Sequence, residues 1–433
     1  MRRERSIQTA KGFTNKQSQT LTERTAAIVG ALGPISVKVY INGPVIMAVD
    51  QDGTIIANGT VGLSESVVIQ AANDYVAAAG GGIVELLPGA YGTLKSAITI
   101  SGKVILKMPP IHNYTDTDAS VVLHADNPFK GDQVITLANR AMISGGFIRG
   151  NGISNINGIA LGRQNIVDGV CVLDCNYGAK TTESAICLIT NSMFGQCNYG
   201  LYGGWGFVDS VISNCYFYAS RMDGISIGAG SNKNQFIGCS FEWNSQYGLH
   251  TYQCGTGIVN ACFFDRNGYS AIYICHSPAS PSPYPSVITG NRFTRNAALY
   301  GNAHIRIYAS SDVKMVGNTF HTDYIVDGDT HSALKPDYVY QCAGACPNLW
   351  LDEDVIAQNV GIHFSKGYQR RMVGKSIGTG KSQNISHGLL AIPNRISIVP
   401  TVTGAKVRGV WADAINIYLT CTNGKAYNWS AEV

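Results

Sequence analysis

The chain has 433 residues, a net charge of +4 and only 14% charged residues, against roughly 25% in an ordinary soluble domain. Hydrophobic residues make up 45%, which excludes disorder at so small a net charge. The thin spread of Lys and Arg excludes a concentrated basic face for nucleic acid, and no apolar run approaches the roughly 18–20 residues of a membrane span. The 49 glycines, the 12 cysteines and the many Tyr, Val and Ile point to β-structure with frequent turns.

The first 25 or so residues are charged and carry no apolar run of the 7–15 residues a secretory signal needs. This predicts folding in a reducing cytoplasm, with the cysteines packed as small hydrophobes rather than paired. Residues 36–59 read as hairpin strands joined at Asn-Gly and Asp-Gly. The DQDG at 50–53 lacks the third acid and the closing Glu of a calcium loop. A small β-rich N-terminal module is expected over 1–60.

Residues 64–93 read as a helix over 64–79, three glycines, a strand and LPGAY. From about 140 to 320 one short phrase then recurs. Its aligned apolar residues are Ile148, Val172, Phe194, Phe217, Phe241, Phe264, Phe293 and Phe320, so the first six recur every 22–24 residues. Each copy reads as a strand, a polar turn and a second short strand, with no helical period. That is a parallel β-solenoid of roughly ten coils, expected over 61–330. Alternation puts each Phe on one face with the residue two before it: Ser192, Cys215, Cys239, Cys262, Asn291 and Asn318. A face of Phe and Cys is the core, so the cysteines are expected as an internal ladder.

Residues 331–380 are irregular and read as a transition. The CAGAC at 342–346 has no second Cys pair or His pair to complete a zinc site, so no metal and no cofactor is expected. Residues 381–433 alternate as strands and close on an aromatic NWSAEV.

The helix, triple glycine, strand and LPGAY resemble the opening of the pectate-lyase-like right-handed parallel β-helix superfamily, where a helix caps the first coil. The HGL at 387–389, Pro393 and the terminal WSAEV resemble the small β-domain at the C-terminus of many phage tail proteins. Together the chain is similar to a phage tailspike: an all-β, single-stranded right-handed parallel β-helix between a small N-terminal module and a C-terminal β-domain. The resemblance implies a homotrimer in the virion tail, made in the host cytoplasm. It also implies attachment to other tail proteins through the N-terminus, and a solenoid that binds and usually cleaves a bacterial surface polysaccharide. No nucleic acid and no membrane insertion is expected.

The residues flanking each Phe should face outward. On consecutive coils they include Tyr216 and Tyr218, then Glu242, then Asp265. Coils stack about 4.8 Å apart, so the two carboxylates are expected side by side. That is the arrangement a glycosidase uses for its acid and its base or nucleophile. A second outward row holds Tyr202, His250 with Tyr252, and Tyr273; Trp243 and Arg292 lie nearby. Aromatics interleaved with polar groups suit the apolar faces and hydroxyl edges of sugars. Two alternatives share that groove. A polysaccharide lyase would use His250, Tyr252 and Arg292 on a uronate, and a receptor-binding protein would use no catalytic group.

Overall fold

Each coil is shaped by residues that leave the β region. In the computed structural model of the chain, residues 191, 214, 238, 261, 290 and 317 are left-handed, with φ between 51° and 66°. Asn191, Asn214 and Gly238 suit that conformation. The bend cuts the first strand of each repeat copy in two, so a coil has three strands rather than the expected two: Val211–Ser213, Tyr216–Tyr218 and Ile225–Ile227, for example. A second left-handed bend follows the middle strand at Gln196, Ala219, Trp243, Arg266 and Arg295, with φ between 50° and 59°.

The structure describes residues 35–89, 91, 93–111, 121–153, 155–181, 183–276, 285–297, 303–310, 312–321 and 338–343. It also describes strands and turns between 350 and 432. The chain divides into two compact units, residues 1–179 with 186–188, and residues 180–185 with 189–433. Among the described residues, no helix is long and apolar enough to cross a membrane.

In the first unit, Ile35–Asn42, Val45–Asp50 and Ile55–Thr60 form an antiparallel meander. Its Asp-Gly turn is held by Asp50 Oδ1, which accepts from the amides of Asp52 (3.0 Å) and Thr54 (2.8 Å). The meander is not separate from the solenoid, because Ile35–Asn42 also pairs in parallel with Gly82–Leu86. A Cβ on Gly82 would meet the Ile35 carbonyl oxygen at 2.1 Å, so the close approach requires glycine. The expected cap is helix α1, Glu65–Ala78, which buries Val68, Ile69, Ala72 and Val76. Ser66 Oγ and Asn73 Oδ1 accept from the amides of Lys95 and Ser101, tying the helix to the first coils. Above it, Gly82–Leu86, Val104–Lys107, Met142–Ser144 and Ile166–Asp168 stack in parallel register.

In the second unit the middle strands Met193–Gly195, Tyr216–Tyr218, Ser240–Glu242, Phe263–Asp265, Arg292–Thr294 and Thr319–His321 pair in order. The expected core is present. Phe194, Phe217, Phe241, Phe264, Phe293 and Phe320 are buried. They stack ring on ring at 5.3, 5.3, 4.6, 5.0 and 4.8 Å. Burying each Phe is worth about 1.5–3 kcal/mol. Beside them Cys215, Cys239 and Cys262 are buried and free, and burial pushes the Cys215 and Cys262 thiols well up. These are packing residues, as expected.

An asparagine ladder lies three residues after the Phe. Asn244 Nδ2 donates to Asn267 Oδ1 (2.9 Å) and Asn267 Nδ2 to Asn296 Oδ1 (2.7 Å), while each also donates to a core carbonyl. These amides satisfy backbone acceptors that the bend would otherwise leave unpaired in the core.

Parallel pairing continues past the expected limit at 330, through Tyr338–Ala343, Trp350–Asp352 and Val355–Ile356. The C-terminal region holds two antiparallel three-stranded sheets. Arg371–Ile377 already pairs with Ala426–Glu432, so these sheets begin before residue 381. The second sheet is Ser382–Ser386, Asn416–Cys421 and Val407–Ala412. The HGL segment and Pro393 lie outside the described residues, as do residues 1–34.

Candidate functional site

In-register stacking brings three of the expected residues together: Tyr218, Glu242 and Asp265 occupy one position on three consecutive coils. The corner that follows adds Trp243, Arg266 and Arg295, all left-handed (φ 59°, 53° and 51°). Bulky residues seldom adopt that backbone. The Arg266 guanidinium lies 4.2 Å from the Trp243 ring centroid. Tyr216 and Tyr218 stack at 5.1 Å, and a Cβ on Gly195 would collide with the Tyr218 ring.

The two carboxylates differ sharply. Asp265 is 2% exposed. Its Oδ1 accepts from Arg295 Nε (3.0 Å), and its Oδ2 from Arg295 Nη2 (2.6 Å) and Arg266 Nη1 (3.1 Å). With both oxygens engaged and the side chain buried, Asp265 is not presented as the expected base or nucleophile. Glu242 is half-buried, and its Oε2 accepts from the Tyr216 hydroxyl at 3.3 Å. Burial, and then the Asp265 charge, raise its pKa above the ordinary carboxylate value, against the pull of Tyr216, Arg266 and Arg295. Tyr216 in turn is held protonated by burial and by Glu242.

A second cluster forms on the next strand. Ser226, His250, Tyr273 and Arg306 share one position on consecutive coils. Asp223, 2% exposed, receives His250 Nδ1 at 3.1 Å and the Tyr247 amide at 3.3 Å. With Nδ1 protonated toward Asp223, Nε2 is the basic nitrogen, and it makes no hydrogen bond among the described residues. His250 stacks on Tyr273 at 5.2 Å, and the Arg306 guanidinium lies 5.1 Å from the Tyr273 ring centroid.

Of the remaining expected residues, Tyr202 extends the His250 column by one coil, pairing in register with Ser226. Tyr202 meets Tyr199 edge-on at 5.6 Å, Tyr252 is 48% exposed, and Arg292 lies over Phe263 at 5.6 Å. Sequence reasoning missed Arg295 and the Asp223–His250 pairing. Arg295 had a readable signal, since it falls two residues after Phe293, where Trp243 and Arg266 follow Phe241 and Phe264. Among the described residues, no group of three His, Cys, Asp or Glu is placed to hold a metal ion.

A family model described as "Right handed beta helix region" matches residues 205–335. The enzymatically active domain of tailspike protein 2 of bacteriophage CBA120 is similar at 14% identity and TM-score 0.53, over 85% of this chain and 68% of that one. A tailspike double mutant of Escherichia coli bacteriophage HK620, in complex with a pentasaccharide, is similar at 13% identity and TM-score 0.52, over 88% of this chain and 92% of that one. These likenesses are of fold: the chain contains a right-handed parallel β-helix.

Proposed function

We propose that the protein binds and hydrolyses a bacterial cell-surface polysaccharide, as a homotrimeric phage tailspike carried on the virion tail and joined to other tail proteins through its N-terminus. The observation that carries this reading is Glu242. It is a half-buried carboxyl of raised pKa beside a Tyr216–Tyr218 stack and the partly exposed Trp243 ring. A carboxyl of raised pKa keeps its proton to higher pH and can donate it to a glycosidic oxygen as the bond to the anomeric carbon breaks, and water then adds to that carbon. Aromatic rings beside it suit a sugar's apolar face. Asp265 acts on Glu242 instead of on the substrate: its charge raises the Glu242 pKa, while hydrogen bonds from Arg266 and Arg295 fix the position of its carboxylate.

The tailspike likeness supports the glycan and the virion at the level of fold. Reducing-end release from host surface polysaccharides tests the chemistry. Glu242→Gln lowers the rate by about 10²–10⁴-fold; an unchanged rate sinks the assignment. Sedimentation of the purified chain tests the trimer.

The Asp223–His250 pair favours a second reading, a lyase. A His oriented by a buried carboxylate is a base able to take the proton α to a uronate carboxylate, with Arg306 beside it to offset charge. Product absorbance from an unsaturated uronate, abolished by His250→Ala and kept by Glu242→Gln, identifies that case.

A further inference from the structure

We propose a second site, on the first unit: a basic notch that takes the anionic groups of a linear acidic glycan. The inference rests on the polysaccharide reading above and narrows its substrate class to one bearing carboxylates or phosphodiesters. The notch is a cavity of about 520 Å³ whose lining includes Lys103, Asn139, Arg140, Arg163 and Gln164. These residues come from three consecutive coils. The Lys103 amide donates to the Arg140 carbonyl (3.1 Å), and the Arg140 amide to the Arg163 carbonyl (2.8 Å). One cation per coil therefore stands in a column, with coils about 4.8 Å apart.

The corner is built to hold this shape. Arg140 Nε donates to Gln164 Oε1 at 2.8 Å, and Asn139 Oδ1 accepts the Arg163 amide at 2.8 Å. A Cβ on Gly102 would meet the Asn139 carbonyl at 2.7 Å, so the coils close up only around glycine.

The charge is uncompensated where neighbouring charge is not. In the same unit Lys95 pairs with Asp126, Lys107 with Glu85, and Arg149 with Asp174. Among the described residues Lys103, Arg140 and Arg163 form no ion pair. Three stacked like charges repel one another, and a polymer carrying anions at a matching repeat relieves that repulsion. No aromatic residue lines the notch, so it offers bases no stacking platform, and single-stranded nucleic acid is the poorer fit. Lys and Arg are sparse over the chain as a whole, yet three of them gather in this local column.

Calorimetric titration of the full chain tests the proposal. The probes are an oligogalacturonate, a poly(glycerol phosphate), a neutral dextran and a single-stranded DNA oligomer. The wild type is expected to bind the uronate or the phosphate polymer, and which of the two identifies the anion. The triple variant Lys103→Gln/Arg140→Gln/Arg163→Gln is expected to lose about tenfold or more in affinity, with a weaker salt dependence. Dextran is expected to give no heat with either protein. Should the triple variant fail to fold, Lys103→Gln and Arg163→Gln alone carry the test, each with a loss of about threefold. The side chains of Lys103 and Arg163 make no hydrogen bond among the described residues. Equal affinity in folded variants, tighter binding of the DNA, or no binding of either anion by the wild type overturns the inference. If reducing-end release still responds to Glu242→Gln in that event, the polysaccharide reading survives and only the notch falls.

Discussion

The inside and the outside of the second unit obey different rules on the same strands. Inward, the coils repeat: Phe stacks on Phe, from Cys215 onward Cys or Asn lies beside it, and from Asn244 onward an asparagine amide caps a carbonyl of the preceding coil. Outward, one register position changes from Tyr218 to Glu242 to Asp265 to Thr294. Stacking in register makes identical residues cooperate in the core and sets unlike residues against each other on the surface. Repetition therefore marks what holds the solenoid together, and departure from it marks where chemistry sits.

Substitutions measure how deep that division runs. Phe241→Ala removes a ring stacked between Phe217 and Phe264. It is expected to cost about 3–5 kcal/mol in urea unfolding of the purified chain, the largest effect of the series. Asp265→Asn comes next and blurs the boundary, because this outward residue is buried. It leaves the Arg266 and Arg295 guanidinium groups without their anion, at about 3 kcal/mol by the same measurement. A cost below about 0.5 kcal/mol would mean that the clamp behaves as a surface ion pair. Asn267→Ala strands the Phe241 carbonyl and removes the acceptor for Asn244; about 1–3 kcal/mol is expected.

Glu242→Gln is the smallest in stability, within about 1 kcal/mol at neutral pH, despite its large effect on turnover. The sign follows from its raised pKa. The folded state holds the Glu242 proton at pH values where the unfolded chain has released it. The charged form is therefore a cost that appears as pH rises from the ordinary carboxylate range through the raised value. The wild type should lose stability over that window and Glu242→Gln should not. The hydrolytic rate should fall across the same window as the acid deprotonates. Parallel melting curves and pH–rate profiles of the two proteins check both. Coincident melting curves would show that Glu242 titrates as a surface carboxylate.

Much of this was legible in the chain. The Phe period places the core ladder, the Asn-Gly and Asp-Gly pairs place the hairpin turns, and the helix before three glycines places the cap. Neighbouring copies of the repeat also set Glu242 beside Asp265. The extra bend within each coil was harder to read, because Ala261 fills the left-handed position that Asn214 and Gly238 mark in earlier copies.

The sequence by itself determined the architecture, since a period near 23 residues with alternating strands closes hydrogen bonds and buries Phe in only one way. Tertiary structure alone decided which outward groups work as partners. Arg295 reaches Asp265 from 30 residues away, His250 reaches Asp223 from 27, and Lys103 meets Arg140 across a coil of 37 residues. Loops of unequal length separate these residues, so their distance along the chain carries no regular signal. Charge and proton affinity depend on which groups come within a few ångströms, and that is settled only when the coils stack.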